Sequence, residues 1–342
     1  MDNSEFISVI KNTQELVKNN SKWQTLWTGY AAKISEKKEP IENIRKNFRQ
    51  WAPLYVYLNT SLIKNARSSV TVELRYMGQT VASLTGNKDG KCKLSTNYKY
   101  CEKSNRDNFG CDIYLPNVDW RSDSDAKKFR DHFKKKPLRK KITRDNEEHR
   151  LESLILTEFF KTESQCKAVL NIQPVTPIKN IRFPMLTYIK ASNHKKIGVG
   201  NGHIDILTRV GRGGPTTRLC IMELKDKCKD KDKNTEPPKV VVKQALAYAT
   251  FIRELLRSDC GKAWWKLFGF RGNLPEKLEL YAVCLMPSSN NDDKSFGRLE
   301  LPVGNDDKIV LHYLYFNFIE KDERIKFVST SIPEIVLNHS CK

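Results

Sequence analysis

The stretch "GHIDILTRVGRGGPTTRLCIMELK", residues 202–225, contains two short apolar runs separated by the break "VGRGGPTT". Three glycines and a proline in that break predict a turn that reverses the chain. Each apolar run has the length of a strand and carries a carboxylate, Asp205 in the first and Glu223 in the second. We therefore expect an antiparallel hairpin in which Asp205 lies across from Glu223 and Lys225.

Side chains on a strand alternate between its two faces, so Ile204 and Ile206 share one face and Asp205 takes the other. In "RLCIMELK" the same rule assigns Cys220, Met222 and Leu224 to the buried face and Glu223 and Lys225 to the opposite one. Two neighbouring carboxylates repel each other and lose hydration, so their pairing requires a cation. Mg²⁺ is such a cation, since it prefers carboxylate, carbonyl and water oxygens.

The same residue types suggest a chemistry for this hairpin. The peptide carbonyl of Leu224 is a further oxygen ligand for a metal held by Asp205 and Glu223. Lys225 lies next to that position, where its amine can hold or help to deprotonate an attacking water. A metal there stabilises negative charge that develops on a phosphate.

The chain of 342 residues carries 60 basic and 40 acidic side chains, a net charge of +20. Such an excess favours a polyanionic partner, because each cation on a phosphate releases condensed counterions. A role in solubility alone stays an alternative. The block "KKFRDHFKKKPLRKKITR", residues 127–144, contains ten Lys or Arg against one Asp and is expected to be a solvated linker or an arm that follows phosphates.

Several classes of protein are not expected from this sequence. No apolar run approaches the roughly 18 residues of a membrane span, and the N-terminus has acidic residues and no continuous apolar region typical of export. We expect a soluble, cytoplasmic chain with no membrane partner. Nine scattered cysteines without a CxxC pair argue against a disulfide framework or a zinc ribbon, and indicate reduced thiols.

The order of periodic segments predicts two domains joined by the basic linker. Helical spacing at 4–35 and 38–64, followed by a β-hairpin around Met77-Gly78, predicts an N-terminal helical and β-hairpin (α+β) domain at residues 1–126. The linker covers residues 127–144. Helices and strands that interleave after residue 145 predict an α/β domain at 145–342, which makes the chain α+β overall. The N-terminal domain is the natural candidate for target recognition.

The second domain resembles the PD-(D/E)xK nuclease superfamily, which has the restriction-endonuclease-like fold. The matching residues are Asp205 and the ExK element Glu223-Leu224-Lys225, preceded by the helix "RDNEEHRLESLILTEFFK" that carries Glu152. Gln244 and Tyr248, four residues apart on the following helix, look like the QxxxY element of part of the superfamily. Ile204 stands where the family has proline. The resemblance covers roughly residues 145–290 and follows the order αβββαβ.

The resemblance implies a C-terminal restriction-endonuclease-like αβββαβ core with a central mixed sheet. It implies a Mg²⁺-dependent nuclease that hydrolyses DNA, with Mn²⁺ as a substitute and Asp205 and Glu223 as metal ligands. By the same resemblance Lys225 positions the nucleophile, and Glu152 completes the metal shell or orders its water, with Glu158 and Glu148 as competitors. Gln244 and Tyr248 would support the lysine or contact the phosphate.

Members of the superfamily serve restriction, repair or anti-phage defence, and many act as dimers. The resemblance therefore also implies a defence role and a homodimer. Two alternatives stay open: a catalytically inactive nucleic-acid-binding module of the same fold, and an enzyme that cleaves RNA.

Several other residues near these segments have an ordinary structural explanation. Trp264-Trp265 with Phe268 and Phe270 are expected in the core rather than stacked on bases. The arginines around the hairpin turn either line a phosphate-binding groove or are surface charge, and two histidines flank the site without an assigned role in catalysis. These residues are Arg209, Arg212, Arg218, His149 and His203.

Overall fold

The computed structural model describes residues 3–48, 53–58, 68–96, 109–137, 144–175, 181–182, 186–187, 202–226, 236–289 and 292–340. Over these residues the chain is a mixed α+β protein, as expected. Its helices are α1 Ser4–Lys18, α2 Lys22–Glu36, α3 Lys38–Phe48, α4 Ser124–Lys134, α5 Arg144–Phe160, α6 Pro238–Arg257 and α7 Gly261–Leu267.

The strands run from β1 to β17 in chain order. In the first half these are β1 Leu54–Tyr57, β2 Ser69–Tyr76, β3 Gln79–Asn87, β4 Cys92–Ser95, β5 Pro116–Asp119, β6 Val169–Leu170, β7 Ile172–Pro174, β8 Ile181–Arg182 and β9 Leu186–Thr187. The later strands are β10 Gly202–His203, β11 Ile206–Val210, β12 Arg218–Leu224, β13 Glu279–Pro287, β14 Glu300–Gly304, β15 Asp307–Ile319, β16 Arg324–Thr330 and β17 Val336–Leu337.

Contacts divide the chain into two compact units. The terminal unit comprises Met1–Thr28, Leu154–Val175 and Pro184–Lys342, and the middle unit comprises Gly29–Ser153 and Thr176–Phe183. The first 28 residues therefore cluster with the C-terminal part of the chain. The domain boundaries predicted at residues 126 and 145 stay predictions.

The middle unit is built on the sheet β5-β4-β3-β2-β1-β8. The hairpin predicted around Met77-Gly78 is confirmed: β2 and β3 pair antiparallel, and both turn residues have positive φ, 46° and 79°. A two-residue turn of this kind matches the right-handed twist of the strands that it joins. Helix α3 packs on β2, β3 and β4, and α4 packs on β5.

The helix predicted over 38–64 is wrong at 54–57, where the chain is a strand, and residues 49–52 and 59–64 lie outside the described residues. Helix α3 ends at Phe48, and Leu54 begins β1, which pairs antiparallel with β2. Pro53 disfavours helical geometry in the residue before it, and "LYVY" is rich in residues that suit a half-buried strand. These local preferences outweigh the helical spacing.

Part of the predicted linker is folded. Helix α4 begins after Asp123, whose carboxylate accepts hydrogen bonds from the backbone N–H groups of Asp125 and Ala126 at 2.8 and 3.0 Å. Phe129 and Phe133 on this helix are buried. Residues 138–143 of the basic block lie outside the described residues.

The terminal unit is built on the mixed sheet β14-β15-β13-β12-β11-β7, with β16 also paired to β15. Strands β11 and β12 are antiparallel, whereas β12, β13 and β15 run parallel to one another. Helix α6 packs on β12, β13 and β15, and α1 packs on α6. Because β12 and β13 lie in the middle of the sheet, nearly every residue of both strands is buried.

The aromatic segment after α6 lies in the core of this unit. Trp264 and Phe268 are fully buried, and the indole N–H of Trp264 donates to the carbonyl of Trp27 at 3.1 Å. Trp265 stacks on half-buried Phe270 with ring centroids 3.8 Å apart. The expected core position is confirmed.

Two further expectations concern membrane-spanning helices and the oxidation state of the cysteines. Within the described segments, no helix is long and apolar enough to span a membrane. Among the described cysteines, Cys92, Cys220, Cys260 and Cys284 are free thiols, but Cys166 is disulfide-bonded. The expectation of reduced thiols throughout is therefore wrong at Cys166, because spacing in the sequence does not show which distant sulfurs approach each other.

Candidate functional site

The predicted hairpin between Asp205 and Lys225 forms. The register between β11 and β12 runs from Ile206 opposite Met222 to Val210 opposite Arg218. Asp205 comes directly before β11, so continuation of this register sets it across from Glu223. The glycine-rich break supplies the turn, with Gly213 at a φ of 105°.

Two contacts join the predicted site residues at the open end of this hairpin. The backbone N–H of Leu224 donates to Oδ2 of Asp205 at 2.8 Å. The ammonium of Lys225 donates to Oε1 of Glu223 at 2.7 Å. The structure therefore brings Asp205, Glu223, Leu224 and Lys225 together, as the sequence predicts.

Glu223 is more deeply buried than simple alternation suggests. Its side chain is 6% exposed, whereas that of Lys225 is 20% exposed and Asp205 is half-buried. Both faces of β12 are covered, since every residue from Leu219 to Leu224 is buried. A carboxylate at this depth is costly unless a cation or hydrogen bonds compensate it, and Lys225 supplies that charge.

The neighbouring strand adds a thiol and further carboxylates. Cys284 on β13 is the register partner of Glu223. Burial raises the pKa of the Cys284 thiol well above its ordinary value, and the carboxylates of Asp292, Glu223 and Asp293 raise it further while Lys225 lowers it. The end of β13 therefore contributes negative charge close to that of β12.

Asp292 and Asp293 were not anticipated from the sequence. The Asp292 carboxylate accepts hydrogen bonds from Ser288 and Ser289, and the Tyr315 hydroxyl donates to the backbone carbonyl of Asp293 at 2.5 Å. The signal that could have found them is position, since "NDD" follows a parallel strand and ligands of α/β sheets bind beyond the carboxyl ends of such strands.

The two predicted QxxxY residues lie on α6, which packs on β12. Gln244 and Tyr248 are both buried, and the Gln244 amide donates to Oε2 of Glu236 at 3.1 Å. Glu236 lies two residues before the start of the helix and was not singled out from the sequence. The predicted support of Lys225 or phosphate by Gln244 and Tyr248 stays a prediction.

Glu152 lies on α5 in the middle unit, whereas the hairpin belongs to the terminal unit. Its carboxylate is buried and contacts Nδ1 of His149 at 3.3 Å. Of its competitors, Glu158 pairs with Lys161 near the end of the same helix, and Glu148 is half-buried. The assignment of Glu152 to the metal shell stays a prediction.

Oxygen ligands at the hairpin suit a hard divalent cation. Among the described residues, no group of three or more His, Cys, Asp or Glu side chains is arranged to hold a metal ion. Mg²⁺, however, commonly binds through only one or two carboxylates and keeps several waters. Asp205 and Glu223, with the carbonyl of Leu224, form a ligand set that fits this requirement.

The arginines around the hairpin turn differ in their surroundings. Arg209 donates to the carbonyl of Gly269 and to the side chain of Gln173, and burial together with nearby Arg271 lowers its pKa. Arg218 pairs with Glu279 at 3.4 Å, while Arg212 is exposed. Their predicted contact with phosphates stays a prediction.

Comparisons of the chain with protein-family models, with curated proteins and with solved structures found no match.

Proposed function

We propose that this protein is a Mg²⁺-dependent nuclease that hydrolyses phosphodiester bonds of DNA at Asp205, Glu223 and Lys225. One observation carries the proposal: the Leu224 N–H holds the Asp205 carboxylate at 2.8 Å, beside the buried pair of Glu223 and Lys225. Two carboxylates and an amine therefore converge at the end of a buried strand, the kind of setting in which reactive groups occur.

The order of elements along the chain supports the finer fold assignment. Of the strands in the sheet of the terminal unit, β7, β11 and β12 follow helix α5 and β13 follows α6, while β6, β8, β9, β10 and α7 intervene outside that sheet. This succession agrees with the αβββαβ core of restriction-endonuclease-like proteins, with β11 and β12 as the hairpin and α6 as the helix of Gln244 and Tyr248. We propose this core for the terminal unit.

In the proposed reaction, Asp205, Glu223 and the Leu224 carbonyl would hold Mg²⁺, with Mn²⁺ as a substitute. When bound, the metal supplies positive charge against the negative charge that develops on the phosphate. The Lys225 amine, 2.7 Å from Oε1 of Glu223, would orient the attacking water. Gln244 and Tyr248, on the helix that packs on β12, would support the lysine.

DNA is the substrate that the charge of the chain favours. A net charge of +20 attracts a polyanion through counterion release. We propose that the N-terminal α+β region recognises the target, that the enzyme acts as a homodimer in the cytoplasm, and that it serves restriction or defence. RNA is the alternative substrate.

The test is cleavage of linear and circular DNA by the purified protein in Mg²⁺. Cleavage of circular DNA identifies an endonuclease, and a parallel reaction with RNA distinguishes the substrates. Glu223→Ala and Lys225→Ala should lower cleavage about 100- to 1,000-fold, whereas Arg75→Ala, which removes a similar strand ion pair in the middle unit, should leave it intact. Undiminished cleavage by either site variant would rule out the assigned site.

The second candidate is a nucleic-acid-binding module of the same fold without catalysis. The ion pair between Lys225 and Glu223 favours this candidate. The Lys225 ammonium already neutralises one of the two carboxylates that a metal would need. Salt-sensitive DNA binding, combined with no binding of Mg²⁺ or Mn²⁺ by Asp205 and Glu223, would support this candidate over the nuclease.

A further inference from the structure

The Glu223 carboxylate has a cation of its own when no metal is bound. The ammonium of Lys225 lies 2.7 Å from Oε1 of Glu223, whose side chain is 6% exposed. Charges buried to this extent persist when they are paired, because the paired cation offsets the loss of hydration. Lys225 therefore stabilises the same negative charge that a divalent cation would use.

An ammonium and a metal ion compete for one carboxylate when both approach the same oxygens. Each carries positive charge, so a metal bound to Glu223 also repels an ammonium held close to it. Competition of this kind is a coupling free energy between two ligands of one site, and it is reciprocal. Removal of one competitor strengthens the binding of the other.

We propose that Lys225 is an exchangeable counter-ion of Glu223, which a divalent cation displaces on binding and thereby releases toward the substrate. The inference rests on the proposed function, because it takes Glu223 as a metal ligand. It adds a regulatory step to that function: metal uptake and the release of the lysine are one event. The enzyme without metal thus keeps its lysine engaged.

The anchoring of Lys225 suits such an exchange. Its backbone N–H donates to the carbonyl of Leu285 at 3.1 Å, so the main chain is fixed to β13. Its side chain is 20% exposed and lies one residue beyond the end of β12. The ammonium can therefore leave Glu223 by rotation of side-chain torsions while the strand stays in place.

A similar pair in the middle unit shows what a fixed counter-ion looks like. Arg75 donates to Oε2 of Glu73 through two nitrogens, at 2.8 and 2.5 Å, and its guanidinium lies 4.4 Å from the ring centroid of Tyr57. A planar guanidinium held by two hydrogen bonds and a ring is more constrained than an ammonium on a flexible stem. Arg75 is therefore a suitable control.

The first experiment measures Mn²⁺ affinity by titration calorimetry. Lys225→Met and Lys225→Gln should bind Mn²⁺ about 5- to 150-fold more tightly than the natural protein, the usual range of such coupling. Arg75→Met should bind with unchanged affinity. If the natural protein binds Mn²⁺ but neither Lys225 variant binds it more tightly, the exchange is wrong while the proposed metal site survives.

The second experiment uses the unaltered protein and so does not depend on a variant that folds. Acetylation of individual lysines is followed by mass spectrometry with and without Mn²⁺. The acetylation rate of Lys225 should rise when Mn²⁺ binds, because the ammonium leaves Glu223, while Lys308, paired with Glu300 at 3.0 Å, should not change.

An unchanged or lower rate at Lys225 in protein that has bound Mn²⁺ would overturn the exchange. Absence of Mn²⁺ binding by the natural protein would instead overturn the proposed function, and the exchange with it.

Discussion

The chain contains nearly the same tripeptide twice, Glu73-Leu74-Arg75 on β2 and Glu223-Leu224-Lys225 at the end of β12. In both, the leucine is fully buried and the flanking charges form an ion pair. The glutamates differ in depth: the Glu73 side chain is 20% exposed and that of Glu223 is 6% exposed.

The neighbouring strands account for the difference in chemistry. Glu73 pairs in register with Tyr57 and Ser83, which carry no charge. Glu223 pairs with Cys284, and Asp205 is held by the adjacent Leu224 amide. A Glu-x-Lys pattern alone therefore indicates only a strand ion pair, and the second carboxylate makes the later copy a candidate metal site.

The largest expected effect is a difference in DNA cleavage between variants of the two tripeptides. Glu223→Ala should lower DNA cleavage about 100- to 1,000-fold, the usual loss when a group that stabilises transition-state charge is removed. Glu73→Ala removes the matching carboxylate and should retain the natural rate. Initial rates of cleavage in Mg²⁺ measure the effect of each variant. Equal losses of rate in Glu223→Ala and Glu73→Ala would show that the two glutamates do not differ in catalysis.

The next effect concerns acid stability of the terminal unit. Burial lowers the pKa of His312 on β15 to about 4, so the folded protein keeps this histidine neutral. The unfolded chain takes up a proton near pH 6.5, and the stability that the neutral form provides is lost as the pH falls from about 6.5 to about 4.

The loss through His312 amounts to about 3 kcal/mol at 1.36 kcal/mol per pKa unit. Urea unfolding at pH 7 and pH 4.5 measures it, and His312→Gln should have a smaller loss than the natural protein. An equal loss of stability in His312→Gln would show that a group other than His312 dominates the destabilisation at acid pH.

The two hairpin turns should differ by a smaller amount. Gly78 has a φ of 79°, and an added Cβ would lie 2.2 Å from the carbonyl oxygen of His149. Gly213 has a φ of 105°, and an added Cβ there meets open space. Gly213→Ala should lower the free energy of unfolding by about 1–2 kcal/mol, because alanine disfavours this positive φ. Gly78→Ala should lower it further, because its added Cβ also clashes with His149. Urea unfolding of both variants measures the two losses. A larger loss in Gly213→Ala than in Gly78→Ala would contradict the close approach of Gly78 to His149.

The smallest expected effect concerns the more exposed of the two ion pairs, Arg75 with Glu73. Arg75→Ala breaks a partly exposed ion pair, and such pairs contribute about 0–1 kcal/mol. The free energy of unfolding should fall by no more than that amount, with no change in cleavage rate. A loss of several kcal/mol would mean that Glu73 needs its counter-ion as much as Glu223 does.

Local patterns in the sequence predicted much of this architecture. Alternation and turn residues were sufficient for the β2–β3 and β11–β12 hairpins, and helical spacing was sufficient for α5. The prediction failed at Leu54–Tyr57, where apolar spacing suits either a helix or a strand. The strand preference of "LYVY", together with Pro53, outweighs the helical spacing there, and pairing with β2 satisfies the strand's backbone.

The candidate site was predicted less completely than the fold. The convergence of Asp205 with Glu223 follows from two strands and one turn, all close in sequence. The burial of Glu223, by contrast, depends on elements that come later in the chain, among them β13, which pairs with β12 beside Glu223. The nearness of Asp292 and Asp293 to this site likewise depends on the parallel pairing of β12 with β13.

A crystal structure of the protein soaked in Mn²⁺ would locate the metal by its anomalous signal, without reference to activity. We expect a peak between the carboxylates of Asp205 and Glu223 and none at Glu73. A fully occupied Mn²⁺ elsewhere, or no metal at these carboxylates at saturating Mn²⁺, would contradict this expectation.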